Sequence, residues 1–471
     1  MVRDGPNSLS FQTAAALKAI YGANAHVKKG DWYLTLDISA GAPSVQMVID
    51  QQQHALRRRA MSPAFSERAL RDAEPLIKAK AAKLCAKLAE MLDGGEDNTW
   101  SGRSVDLARL MAYYGYDLIS DLAFGRSFEL LDHERHRFVP GVLKSASVFL
   151  YYVGYLPFAP LVRPLLGTAV QDLFPGQAAK DSLRYTRLAN SRLAERIERE
   201  RTRTGEEREE GEEEEEEERK DIFHHLLRSK DPVTGKPAFS TEELQADTSL
   251  LIAAGSDGVA LAICALVFYG LQEPEVLGRL SAEIRGAFAS PDDIRTPKLH
   301  QLPYLDACID ESLRLAPPKP GSLPRVVLPG GTTIDGHFVP GGTTVGVSHY
   351  VIHRDGDVFE RPHEFVPDRW LVASEEEGED RERRARQRAS FCPFGIGPMN
   401  CIGKNVAYLA IKLAVAHLFW RYDFRANGGR LVGGGGGAME EGRRDEKEYQ
   451  LWDWIIGFPN GPVVDVKARK I

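Results

Sequence analysis

The chain is short of most features that would identify a protein by composition. Its five cysteines, at positions 85, 264, 308, 392 and 401, form an odd set without metal-type spacing. That excludes a disulfide scaffold and favours a reducing compartment. No dinucleotide fingerprint opens a strand–helix unit, and no internal repeat is present. A field of basic residues is missing too. The formal charge is −7, but residues 206–218 alone hold eleven Glu and one Arg, leaving +3 for everything else. The acidity therefore belongs to one insert, and nucleic acid is not an expected partner.

Membrane-spanning signals are also lacking. Met1–Phe11 has no apolar run, so neither a signal peptide nor a spanning helix is expected there. Ser145–Val162 is uncharged, but Pro157 and Pro160 break it as a span. Leu250–Gln272 is apolar enough to cross a bilayer, yet Asp257 lies inside it. A lone carboxylate is costly in lipid, so a buried core helix is expected.

What the chain does have is a globular balance, 43% apolar and 27% charged over 471 residues. Apolar residues recur at three-to-four spacing over Ala69–Met91, Val105–Phe124, Tyr185–Arg201, Glu242–Gln272, Pro274–Ala289, Tyr304–Leu315 and Cys401–Trp420. Strand-like pieces are few and short: Thr332–Ile334, Thr343–Ser348 and Val463–Val466. Residues 205–219, Glu375–Arg388 and Gly433–Gly437 read as surface loops or inserts. The expected architecture is mainly α, one large domain over residues 5–468 with small accessory β-sheets.

The sharpest segment is Phe394-Gly-Ile-Gly-Pro-Met-Asn-Cys-Ile-Gly403. A glycine-and-proline loop delivers one cysteine to the start of an apolar helix. Gly395 and Gly397 permit backbone conformations that side chains oppose. Free N–H groups at the helix start favour a thiolate at Cys401. Such a sulfur is a metal ligand or a nucleophile; a small buried hydrophobe is the plain alternative.

This loop resembles the haem-binding signature of the cytochrome P450 monooxygenases, fungal microsomal-type members in particular. The resemblance implies haem b with the Cys401 thiolate as axial iron ligand, and Phe394, Gly395 and Gly403 lining its cofactor loop. Thiolate ligation favours O–O cleavage, the chemistry for which sulfur is used instead of imidazole. A nucleophilic-cysteine hydrolase is the rival and would need His and Asn or Asp partners, which the sequence neither marks nor excludes.

The likeness extends over nearly the whole chain. Glu311-Ser-Leu-Arg314, followed by Phe365-Val-Pro-Asp-Arg-Trp370, is similar to the family's Glu–Arg–Arg core. It implies a structural network of Glu311, Arg314 and Arg369. His54 and Arg58, at i and i+4, resemble donors to the haem carboxylates, as does Arg325 in Leu323-Pro-Arg-Val-Val327. Gly5–Phe11, Val351–Asp355 and Gly461–Asp465 also fit the pattern.

Two positions depart from it. The central helix reads Ala254-Gly-Ser-Asp-Gly-Val259, where the family usually has Ala-Gly-x-Asp/Glu-Thr-Thr. Ala254 and Gly255 are expected to keep room for dioxygen, and Asp257 to be the catalytic acid that organises proton delivery. Gly258 supplies no hydroxyl, and Ser256 points about 100° away from Asp257 on an ideal helix. Met399 stands where an Arg or His normally meets a propionate, and Met donates no hydrogen bond.

The resemblance implies a monooxygenase that inserts one oxygen atom into an apolar organic substrate. Electrons would come from an NADPH-dependent reductase, since the chain has no dinucleotide fingerprint of its own. Haem-thiolate chemistry of another kind (peroxide use, isomerisation, dehydration) and an inactive haem-binding remnant are the alternatives. Location at the cytosolic face of the endoplasmic reticulum is implied, with peripheral membrane contact through 145–162. Family members start with an anchor and hinge that this chain lacks, so a soluble cytoplasmic protein is the other expectation. An ordinary core helix is the other reading of 145–162.

Overall fold

The computed structural model describes residues 1–36, 42–92, 100–166, 168, 170, 176–204, 220–231, 234–371, 378–429 and 431–470. Helix dominates it. In chain order the longer helices are α1 (Ala14–Tyr21), α2 (Gln51–Met61), α3 (Glu67–Met91), α4 (Leu107–Phe124), α5 (Val139–Tyr155) and α6 (Gln177–Thr204). They continue with α7 (Thr241–Gln272), α8 (Pro274–Ala287), α9 (Pro303–Leu315), α10 (Glu379–Ser390) and α11 (Lys404–Arg421). The strands are β1 (Val2–Gly5), β2 (Ser8–Phe11), β3 (Val27–Lys29), β4 (Trp100–Asp106), β5 (Arg325–Val327) and β6 (Thr332–Ile334). After them come β7 (His337–Val339), β8 (Thr344–Val347), β9 (Tyr422–Ala426), β10 (Trp452–Trp454), β11 (Ile456–Phe458) and β12 (Val463–Ala468). All seven periodic segments form helices, and the three strand-like pieces form strands.

Two expectations about loops are corrected. Residues 379–388 of the stretch read as structureless belong to α10, which runs on to Ser390. Its Glu, Arg and Ala are good helix formers, Asp380 and Arg383 pair at 2.7 Å at i,i+3, and Gln387 and Ser390 are buried. Residues 375–377 and the Glu-rich run 205–219 lie outside the described residues. The glycine run is not a surface loop: Gly433, Gly435 and Gly436 are buried. Gly435 N–H donates to the Asp445 carbonyl at 2.9 Å, and a Cβ on Gly434 or Gly435 would overlap carbonyl oxygens of 443–446. Glycine is there because two backbones approach closely.

The chain forms two compact units, Met1–Gly30 with Glu74–Gly115 and Asp257–Ile471, and Asp31–Ala73 with Tyr116–Ser256. All the strands belong to the first. Its five-stranded sheet runs β1-β2-β8-β5-β3, with β2 parallel to β8 so that Phe11 faces Val347. Phe11, Leu17, Ile20, Val345, Val347 and Ile352 pack beneath it, together with Cys392 at the start of the cysteine loop. A second sheet runs β4-β12-β9. Helix α11 is buried from Leu409 to Trp420, which explains why its sequence there is apolar apart from Lys412 and His417.

The other unit is helical. Asp50 caps α2 by accepting from Gln53 N–H at 2.7 Å. Arg57 on α2 donates to Asp247 on α7 at 2.7 Å, and Val45 N–H reaches the same carboxylate at 2.7 Å. Residues 145–162 have a buried and an exposed side. Val142, Leu143, Ala146, Leu150 and Val153 are buried, while Tyr152, Tyr155, Phe158 and Leu161 are 51–77% exposed. Pro157 and Pro160 lie beyond the end of α5 at Tyr155. Helix α7 is long and apolar enough to cross a membrane, but 72% of its most apolar window is buried, as expected of a core helix.

Candidate active site

The cysteine loop is built by backbone hydrogen bonds. Phe391 ends α10, and Gly395 N–H donates to the Cys392 carbonyl at 2.8 Å. Cys401 N–H donates to the Phe394 carbonyl at 2.8 Å and closes the loop. Gly395 and Gly397 have φ of 68° and 70°, in the left-handed region that glycine tolerates. Gly397 meets a second constraint, because a Cβ there would overlap the Tyr21 carbonyl oxygen at the end of α1. The Phe394 ring packs 5.2 Å from Tyr408 on α11. Helix α11 begins at Lys404 behind its cap Gly403, three residues later than the periodicity suggested, since Asn400 is extended and Cys401 N–H is committed to the loop.

The five cysteines separate cleanly. Cys85, Cys264, Cys308 and Cys392 are buried and Cys401 is exposed. Burial pushes the Cys85 and Cys392 thiols up to about 12, and raises those of Cys264 and Cys308 as well. Those four sulfurs are held as thiols at neutral pH, so they are poor ligands. Cys401 is the one presented to a ligand.

The loop is anchored to a buried ionic network. Glu311 and Arg314 on α9 are fully buried. Arg314 Nε donates to Glu311 Oε2 at 2.9 Å and its Nη2 to Oε1 at 2.8 Å. Arg369 Nε, Val366 N–H and Trp370 Nε1 complete the carboxylate's partners at 3.1, 2.8 and 2.8 Å. Burial works to raise the Glu311 pKa, but Arg314, Arg369 and the Val366 N–H outweigh it and hold it below the usual range. Every donor is matched, as a buried charge demands.

His353 extends this network to the cysteine loop, a link the sequence did not signal. Cys392 N–H donates to His353 Nε2 at 2.9 Å, so Nδ1 carries the ring proton and donates to the Arg314 carbonyl at 3.1 Å. Burial, then His349 and Arg314, push its pKa well down and keep it neutral. A histidine followed by Arg-Asp carries no periodic or motif signature for that contact, because its partners are 39 residues away in each direction.

The remaining candidates fall in both units. Arg325 opens β5 and is buried, its guanidinium 5.2 Å over the Tyr21 ring. Asp257 is buried on α7. In the other unit His54 is buried and Arg58 half-buried on α2, one turn apart. Their neighbour Arg57 is the one that reaches Asp247, a buried pair missed because Arg57 sits among three consecutive arginines. Ala254 is exposed along an otherwise apolar helix, and Gly258 half-exposed, so one stripe of α7 is open. At Gly255 a Cβ would overlap the Ile119 side chain. Its missing side chain admits α4 packing and opens no space for a ligand on that side. Ser256 Oγ donates back to the Ile252 carbonyl at 2.9 Å, so it does not take the place of the absent threonine.

An accessible cysteine on a glycine-shaped loop with a buried Glu–Arg–Arg network beside it fits a haem held through sulfur. This is the class of haem-thiolate oxygenases. Residues 12–431 match the Cytochrome P450 family model, and the chain belongs to that family. It is 35% identical over 472 residues to the cytochrome P450 monooxygenase fscF of Fusarium equiseti, covering 100% of this chain and 85% of that one. To poxM of Penicillium oxalicum it is 33% identical, covering 99% and 82%. To averantin hydroxylase of Dothistroma septosporum it is 30% identical, covering 98% and 79%. The crystal structure of a cytochrome P450DA haem domain matches with a TM-score of 0.73 at 19% identity, over 98% of this chain and 88% of that one. The protein is a haem-dependent P450 monooxygenase whose cofactor is held by a cysteine thiolate.

Proposed function

We propose that residues 5–468 act as one haem domain in which Cys401 is the axial ligand, and that the substrate is an apolar small molecule. The observation that carries this is the exposure of Cys401 on its closed loop, against the burial of the other four cysteines. Bound haem supplies dioxygen activation with electrons from a partner, here assigned to an NADPH-dependent reductase. The chain's own residues do the rest. Arg325, His54 and Arg58 receive the haem carboxylates; Met399 contributes packing only. Asp257 holds water for proton delivery along α7, a task that Gly258 and the back-bonded Ser256 leave to it. That missing hydroxyl also favours a second reading, haem-thiolate chemistry that runs on peroxide. The exposed Tyr152, Tyr155, Phe158 and Leu161 support contact with the cytosolic surface of the endoplasmic reticulum membrane.

The test is the carbon monoxide difference spectrum of the reduced protein. Cys401→Ser abolishes the thiolate-type band and Cys392→Ser keeps it. The reverse result would falsify the assignment. Turnover with peroxide but none with NADPH and a reductase would select the second reading.

A further inference from the structure

Tyr408 lies one turn into α11, and its ring packs 5.2 Å from that of Phe394 in the cysteine loop. The Phe394 carbonyl in turn accepts the Cys401 N–H at 2.8 Å. The Tyr408 hydroxyl donates to Asp310 Oδ1 on α9 at 2.6 Å, the short distance of a charge-assisted bond. One turn away on both helices, Lys412 Nζ meets Asp306 at 2.6 Å, so two rungs fix α9 against α11.

Other tyrosines are placed differently. Tyr21, Tyr114, Tyr185 and Tyr422 donate to main-chain carbonyls, which do not take the phenolic proton. Tyr350 does face a carboxylate, but Glu448 is also paired with Arg354 at 2.9 Å, and a proton arriving there would break that pair. Asp310 makes no ion pair among the described residues. Burial raises its pKa to about 6; the Tyr408 hydroxyl, Lys404 and Lys412 work against that rise and Asp306 adds to it. Its carboxylate therefore takes a proton more readily than an ordinary one. Burial and then Asp310 raise the pKa of the phenol, so Tyr408 is protonated in the resting protein.

Exposed Lys404 holds its ammonium 5.9 Å from the centres of both rings. A cation over a ring opposes loss of an electron alone, since that would leave a second positive charge beside the first. Loss of the electron together with the proton leaves a neutral radical, which the cation does not oppose. A base within hydrogen-bond reach is what that coupled loss requires.

We propose that Tyr408 is an auxiliary electron donor to the haem, one that passes its phenolic proton to Asp310 and spares the cysteine loop when peroxide oxidises the haem without substrate. The inference rests on the haem reading above and goes beyond it. The Tyr408 O–H bond breaks, its electron goes to the oxidised haem and its proton to Asp310 Oδ1. A one-electron reductant such as ascorbate, reaching the half-buried ring, restores the electron while Asp310 returns the proton. Two such cycles, with two protons from solvent, reduce one peroxide to two waters.

The experiment mixes the substrate-free, haem-loaded enzyme with hydrogen peroxide and freezes it at intervals for electron paramagnetic resonance. The wild type should give a tyrosyl radical that ascorbate quenches. Tyr408→Phe keeps the ring and should lose that signal, with severalfold more haem bleached per peroxide consumed. Mass spectrometry should then find Cys401 carried to the sulfonic acid and Met399 to the sulfoxide. Asp310→Asn keeps an acceptor for the hydroxyl but takes no proton, and should lose the signal likewise. It carries the same readings if Tyr408→Phe does not load haem. A full radical signal in either variant overturns the proposal. So does loss of the signal with bleaching unchanged, because the radical then protects nothing. A wild type that shows the thiolate carbon monoxide band and no tyrosyl radical overturns the role of Tyr408 alone. A wild type without that band overturns the haem reading and this proposal with it.

Discussion

Replacing Glu311 with Gln changes one atom and removes one charge, so it isolates the electrostatics of the buried network from its packing. Five N–H donors converge on the carboxylate: two from Arg314, one each from Arg369, Val366 and Trp370. An amide presents one oxygen and one NH2. If the oxygen takes the Oε1 side, which serves three donors, the NH2 opposes Arg314 Nε and Trp370 Nε1. Two buried donors then lose their acceptor at roughly 1–3 kcal/mol each. The two guanidiniums lose their counter-charge as well, and breaking such a pair costs about 3–5 kcal/mol. The costs overlap, so about 3–5 kcal/mol in all is expected. Urea unfolding followed by tryptophan fluorescence, with haem retention by absorbance, measures it. A Glu311→Gln protein within about 1 kcal/mol of wild type would show that water or rearrangement satisfies the site and refute the reasoning. Normal stability with slow turnover would move Glu311 from the scaffold to the chemistry.

The same network predicts a pH dependence. His353 is held neutral in the fold, while the unfolded chain takes up a proton near pH 6.5; stability therefore declines as pH falls below about 6.5, and His353→Gln flattens that slope. His349 and His417, both pushed down to about 4 by burial, act in the same direction. Glu311, whose pKa is depressed, adds stability above its unfolded value of about 4.3 that is lost as pH falls through the folded one, so acid unfolding steepens there. Gly397→Ala places a Cβ on the Tyr21 carbonyl at a φ of 70°, and unfolding curves should show a loss of at least about 1–3 kcal/mol with weaker haem retention. Gly258→Thr restores a hydroxyl where Pro318 leaves ordinary contact distance, and peroxide released per NADPH consumed should fall; an unchanged leak with product lost would mean that substrate occupies that space.

What the sequence determined by itself is whatever depends on local chemistry and spacing. Helices α3, α4 and α7–α9 were legible because their apolar residues recur with the helical period. The cysteine loop was legible because glycines and a proline shape the approach to one cysteine, and Glu311 with Arg314 because i and i+3 share a face. Helix α10 was not legible, since its surface is nearly all charged and gives no apolar period; its pairing and two buried residues fix it. The glycine run looked like a flexible loop because glycine marks both loose turns and tight backbone contacts, and only the 443–450 backbone beside it decides between them. Tertiary structure alone decided which cysteine is presented, since exposure is not a property of a residue type. It also decided what His353 does, which joins one carbonyl and one amide group, each 39 residues away. Electrostatic energy depends on distance in space, and these distances exist only once the chain has folded.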